Sequence, residues 1–145
     1  MVYVWEFEFF ESNGVVDAFP CGDMPGATFG DDLEDAVECA ADLLSAMVDD
    51  HLMRGSALPE MRFGHRPEHG GQIIAVAVSR TLGDIPAMTA ADAARELGVS
   101  SARVAQLVKA GLLESWRDGT RRMVSRASVE ARMAEFPKPE PAAVS

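Results

Sequence analysis

The chain has 145 residues, and its 23 acidic residues against 13 Lys and Arg give a net charge of -10. That balance excludes a protein that coats nucleic acid through overall charge, and two cysteines are too few for a disulfide framework. No apolar run reaches the roughly 18 residues a membrane helix needs, and no cationic segment with an apolar core opens the chain, so the expectation is a cytoplasmic protein with reduced thiols and no membrane partner.

Val2 to Phe10 is rich in β-branched and aromatic residues, and from Val4 it alternates Glu6 and Glu8 with large apolar side chains. This predicts a strand. Asn13-Gly14 predicts a hairpin turn, because both residues tolerate positive φ, and Val15 to Phe19 returns as a second strand. Pro20, Gly22, Pro25 and Gly26 break the chain before a short third strand, Ala27-Thr28-Phe29. Asp31 or Asp32 then caps a long helix, with Asp32, Glu34 and Asp35 suiting its positive end. Leu33, Ala36, Val37, Ala40, Leu43, Leu44 and Met47 mark its buried face, and it should end near Met53, before Gly55. A loop with Pro59, Gly64, Pro67 and Gly70-Gly71 follows, and Gln72 to Val78 reads as a buried strand. The order is β-β-β-α-β.

Several residues here invite a chemical reading. Asp31, Asp32, Glu34 and Asp35 resemble a metal cluster, but helix capping accounts for them. His65 and His69 have a spacing that suits a metal only on a helix, and the surrounding Pro67 and glycines make this a loop. Ser45 and His51 lack a third partner for a nucleophilic triad. Gly26 and Gly30 lack the spacing and the Lys of a phosphate-binding loop. The expectation is no catalytic residue, no metal and no cofactor.

The segment from Gly14 through Phe19-Pro20, Asp23-Met24-Pro25-Gly26, Thr28-Phe29-Gly30 and Leu33-Glu34-Asp35-Ala36 to Ala40 resembles the N-terminal domain of HicB-type antitoxins. Their pattern is a strand ending in Phe-Pro, an Asp-Leu-Pro-Gly turn, a Thr-x-Gly strand and a helix opening with Leu-Glu-Glu-Ala. Cys21 and Gly22 extend the usual Phe-Pro-Asp turn by two residues. The resemblance covers roughly residues 2 to 80. It implies a degraded ribonuclease-H-like fold without catalytic residues, which binds and masks a small basic ribonuclease toxin of the HicA type.

The second half starts with Thr89 as N-cap and a helix from Ala90 to Leu97, with Ala93, Ala94 and Leu97 inward. Gly98 takes a tight turn, and Ser100 or Ser101 caps a second helix, Ala102 to Ala110. Val104, Leu107 and Val108 face inward there, while Ser101, Arg103, Gln106 and Lys109 face outward, where a recognition helix needs short polar and basic side chains. Gly111 ends the helix, and Leu112 and Leu113 anchor the chain to the core. A hairpin from Trp116 to Val124 turns at Asp118-Gly119, with Arg117, Arg121 and Arg122 beside its tip and all expected to be exposed. They are placed to reach a phosphate backbone or minor groove. Ser125 caps a last helix, on which Val129 and Met133 pack back. Helix, Gly turn, helix, Gly-Leu-Leu, Arg-x-Gly-x-Arg-Arg wing and helix together resemble the excisionase-like branch of MerR-type DNA-binding domains, over about residues 88 to 135.

Charge divides along the same line. Residues 1–86 hold 16 acidic and 4 basic residues, net -12, and residues 87–145 hold 7 acidic and 9 basic, net +2. Val99 to Arg126 alone is net +4. With Gly83 and Pro86 at the change of sign, the expected organisation is a domain over 1–80, a linker over 81–87, a winged helix-turn-helix over 88–135 and a disordered, proline-bearing tail over 136–145. The expected fold class is α+β. The expected function is a type II antitoxin that masks a HicA-type ribonuclease and represses its own operon by binding double-stranded operator DNA as a homodimer or higher homo-oligomer. The alternative is a stand-alone transcriptional regulator whose N-terminal domain only dimerises or senses.

Overall fold

The computed structural model describes residues 1–136, so most of the expected tail, from Pro137 on, lies outside the described residues. The chain forms two compact units, Met1–Leu82 and one beginning at Gly83. Both are α+β with antiparallel sheets.

The first unit runs β1 (Val2–Ser12), β2 (Val15–Pro20), β3 (Thr28–Gly30), α1 (Leu33–Arg54) and β4 (Gln72–Ser79), in the expected order. The sheet is ordered β3-β2-β1-β4, with every neighbouring pair antiparallel. Asn13-Gly14 is the two-residue connection that sets Ser12 opposite Val15. Side-chain alternation along β1 sends Trp5, Phe7 and Phe9 to one face, where they meet Ala36, Ala40, Leu44 and Val48 of α1. Burying one such large apolar side chain contributes about 1.5–3 kcal/mol relative to leaving it exposed, so this aromatic-on-helix layer dominates the unit's stability. Asp32 is the N-cap, its carboxylate accepting from the Asp35 N–H at 2.8 Å, and Gly55 closes the helix in the left-handed region.

Two burial expectations fail here. Leu33 is 39% exposed, because the buried stripe runs through every fourth residue from Ala36 to Val48 and the first helical residue falls outside it. β4 is not a buried strand: it forms an edge of the sheet, with Val76 buried, Ile74 and Val78 half-buried, and Ala75 and Ala77 exposed. The helix-side face carries Ile74, Val76 and Val78, and the other carries half-buried Ile73 beside exposed Ala75 and Ala77.

The segment 55–71 explains the direction of β4. A short return after α1 would lay β4 parallel to β1. Instead the segment first packs Leu58 and Met61 half-buried against the core, then crosses the other face of the sheet as a strap. His65 donates its backbone N–H to the Glu6 carboxylate at 3.1 Å, and its Nδ1 lies 2.9 Å from the same oxygen. Glu8 accepts the backbone N–H groups of Glu68, His69 and Gly71 at 2.8, 2.9 and 3.0 Å, and is only 4% exposed. Gly71 has no substitute there, since a Cβ would stand 2.1 Å from the Phe9 carbonyl oxygen. At the far end of β4, Arg80 grips Asp49 of α1 through two hydrogen bonds of 2.8 and 2.7 Å.

A single turn of 3-10 helix, Leu82–Asp84, spans the start of the second unit. That unit runs β5 (Ala87–Thr89), α2 (Ala90–Leu97), α3 (Ser101–Lys109), β6 (Ser115–Asp118), β7 (Arg121–Ser125) and α4 (Arg126–Glu135), with sheet order β5-β7-β6. β5 was not expected, and residues 81–87 are no bare linker. Ile85 is buried, the Pro86 carbonyl accepts from the Arg126 N–H, and Ala87 already pairs with Ser125. Met88, Ala93, Ala94, Val104, Leu107, Leu113, Val124 and Val129 form the core. Leu112, expected to anchor beside Leu113, is 51% exposed, because only one of two successive residues can turn inward after Gly111. Phe136, assigned to the tail, instead caps α4 with the Arg132 guanidinium 4.2 Å from its ring centre.

Candidate nucleic-acid interface

The helix-turn-helix is held by local chemistry at each end of its helices. The Thr89 hydroxyl accepts the Asp92 N–H at 3.2 Å and starts α2. Gly98 takes the left-handed conformation (φ 68°) that ends α2, and the Val99 N–H reaches back to the Ala94 carbonyl. Ser100, of the two expected candidates, is the cap of α3 and accepts the Arg103 N–H at 3.1 Å. Val104 and Leu107 bury the inner side of α3 and so fix its rotation. The outer side then presents Ser101, Arg103, Gln106 and Lys109, all exposed as expected. Arg103 donates to the Gln106 side-chain oxygen at 3.2 Å, so the two long side chains share one patch. Ala102 and Ala105, also exposed, keep this surface low enough for close approach. Ala102 was not singled out from sequence, since alanine carries no chemical signal.

The wing differs from expectation in three details. Its loop is Gly119-Thr120, one residue later than Asp118-Gly119, because Asp118 still pairs with Arg121. Gly119 has φ 65° and Thr120 has no positive φ, which is the pattern of a type II′ turn with Gly at its first central position. The arginines also divide between faces. The register sets Arg117 opposite Arg122 and Arg121 opposite Asp118, on the other face of the hairpin. Finally, Arg122 is half-buried and donates to the Ser115 hydroxyl at 2.9 Å, so it is not freely exposed, whereas Arg117 and Arg121 are exposed.

Electrostatics follow the placement. Two arginines directly opposite across a strand pair repel each other, at a cost of order 0.2–1 kcal/mol, a cost that a bound phosphate would remove. Asp92 has its carboxyl held below the ordinary range, chiefly by its hydrogen bond from Arg95 and secondly by Thr89, with a smaller share from Arg121. Arg126, exposed at the start of α4, adds to the same unit's charge. It escaped the motif reading because it lies beyond the wing. The last strand and helix are locked by Ser125, which is 1% exposed, donates to the Glu114 carboxylate at 2.8 Å and caps α4 by accepting the Ser128 N–H.

The first unit offers no comparable chemistry. The His65 ring is held by Glu6 and the His69 ring stacks on Phe10, and no three His, Cys, Asp or Glu side chains stand together as metal ligands among the described residues. Cys21 and Cys39 are free thiols. Burial first, and then nearby carboxylates, push both thiols above their ordinary pKa, which makes them poor nucleophiles. No helix among the described residues is long and apolar enough to cross a membrane.

Residues 87–136 match the helix-turn-helix domain family model. That match and the exposed polar and basic face of α3 make the second unit a DNA-binding helix-turn-helix. No curated protein and no solved structure matches the chain.

Proposed function

We propose that this DNA-binding protein is the antitoxin of a type II toxin-antitoxin pair. In this reading the first unit covers a small basic ribonuclease of the HicA type, and the second represses the operon that encodes both. One observation carries it: an acidic β-β-β-α-β unit with the motif spacing from Gly14 to Ala40 is joined to a basic helix-turn-helix unit with a hairpin wing. The exposed face of α1 adds support. Glu34, Glu38 and Asp42 follow one another at four-residue spacing. Like charges at that spacing repel, and a cationic partner relieves the repulsion.

The degraded ribonuclease-H-like reading of the first unit rests on its motifs and element order. Asp31 and Asp32, the acids most suggestive of a nuclease centre, serve the helix start: Asp32 caps it, and the Asp31 N–H donates to Asp35 at 2.8 Å. The chain is therefore read as having no nuclease activity of its own. Metal-dependent RNA cleavage that is lost on changing Asp31 and Asp32 would overturn this.

DNA contacts are assigned to Ser101, Arg103, Gln106 and Lys109 at the groove, and to Arg117, Arg121 and Arg122 at the backbone. One winged module covers few base pairs, so the reading includes a homodimer or higher homo-oligomer on a symmetric operator.

The deciding experiment is co-expression of the full chain with the product of the adjacent reading frame. Growth rescue from a toxic neighbour, with co-purification of the two proteins, is the expected result. A harmless neighbour that fails to co-purify replaces the antitoxin with a stand-alone regulator, the helix-turn-helix remaining.

A further inference from the structure

The strap leaves part of the outer sheet face open, and what it leaves open is aromatic. His69 ends the covered part, its ring stacked 4.7 Å from Phe10 and 5.6 Å from Phe19, while Phe10 and Phe19 lie parallel at 5.5 Å. Beyond them, on β3, Phe29 is 61% exposed, with no ring against it among the described residues. The register makes Phe29, Asp17 and Phe10 one row across β3, β2 and β1. Opposite residues share a face, so Phe29 and Asp17 stand side by side on the open surface, next to the Phe10–Phe19 stack.

A solvated sheet face normally carries polar side chains. An exposed aromatic beside a carboxylate, in a unit of net charge -11, has a specific complement. An arginine can lay its guanidinium on the Phe29 ring and donate to Asp17 at the same time. Its apolar neighbours can extend onto Phe19, which is itself 36% exposed. A second copy of this chain does not fit as well, because two units of net charge -11 repel.

We infer that the outer face of β2 and β3, centred on Phe29 and Asp17, is the docking surface for a cationic protein, which seats an arginine between these two side chains. The inference rests on the antitoxin reading and assigns its partner-binding surface. Phe29 supplies ring face and apolar area. Asp17 supplies the charge, held in place by its strand rather than by a flexible loop. The strap fixes the stack that borders this surface.

The test measures binding of the full chain to the purified product of the adjacent reading frame, by calorimetry, for wild type, Phe29→Ser, Asp17→Asn, the double variant and Phe29→Trp. The expected result is a loss of at least about 30-fold in affinity for Phe29→Ser, the scale of an interface hot spot. Asp17→Asn loses less, and Phe29→Trp, which keeps a ring face, binds close to wild type. Thermal unfolding and promoter binding stay unchanged, since Phe29 is exposed and belongs to the first unit. Wild-type binding with the double variant within twofold of it overturns the surface and leaves the antitoxin reading standing. No binding by wild type overturns both. A wild-type dimer that Phe29→Ser converts to monomer gives the surface to a second copy of the chain and overturns the proposal.

Discussion

Glu8 is a carboxylate on a strand whose other face is aromatic, and it is almost wholly buried. Burial alone would raise its pKa, but the N–H groups of Glu68, Gly71 and His69 outweigh that and hold it below the ordinary value of 4.5. Glu6 lies below that value too, chiefly through its hydrogen bond with the His65 side chain. Both groups therefore add stability that is complete above pH 4.5 and is lost as pH falls through the lower folded values. Glu8→Ala leaves three part-buried N–H donors without their acceptor and should cost about 1–3 kcal/mol in urea unfolding at neutral pH. Glu8→Gln should cost less at neutral pH, because one acceptor oxygen survives, and it should lose less stability than wild type on acidification. An acid slope equal to that of wild type would remove Glu8 as the group that ties down the strap.

At the scale of elements, legibility followed periodicity and capping. The helices, their caps at Asp32, Thr89 and Ser125, and the buried faces of α2 and α3 repeat signals that are local in the chain. The strap was not legible. Glu6 and Glu8 look like the polar positions of a half-exposed strand, and nothing local in the sequence says that a segment some 60 residues later will cover them. β5 was missed for the same reason, since three residues form a strand only by pairing with β7. In the candidate site, the identity of the wing arginines was readable from the Arg-x-Gly-x-Arg-Arg pattern. Their partners depend on register: a turn at Asp118-Gly119 would set Arg117 opposite Thr120, whereas the observed turn sets it opposite Arg122 and leaves Arg121 on the other face. That division yields a prediction. Arg121→Ala and Arg117→Ala should each weaken promoter binding and lower its salt slope by about one unit, with the fold intact. Arg122→Ala should also lower thermal stability, because it breaks the bond to Ser115. Equal stability losses in all three variants would contradict the assigned roles.

For the whole molecule, the division of charge matches the division of structure. The acidic unit ends at Leu82 and the basic unit begins at Gly83, and each has its own core: Trp5, Phe7, Phe9 and Leu44 in one, Val104, Leu107, Val124 and Val129 in the other. A segment folds alone when its apolar residues are buried within it and its backbone partners lie inside the cut. Each unit has a core of this kind and backbone bonds of its own. The Arg80 N–H bonds the Met1 carbonyl within the first unit, and Arg126 bonds Pro86 within the second. Fragments 1–82 and 83–145 should therefore each fold, each with its own unfolding transition. The transition of the larger fragment should move with pH through Glu6 and Glu8. The smaller fragment contains neither carboxylate and should not show that shift. It should also bind promoter DNA with a salt slope set by its own arginines and lysines. Circular dichroism and gel shifts on the two fragments check this. A fragment 83–145 that is unfolded alone would show that its core needs the acidic unit, and the two-unit account of the chain would then be wrong.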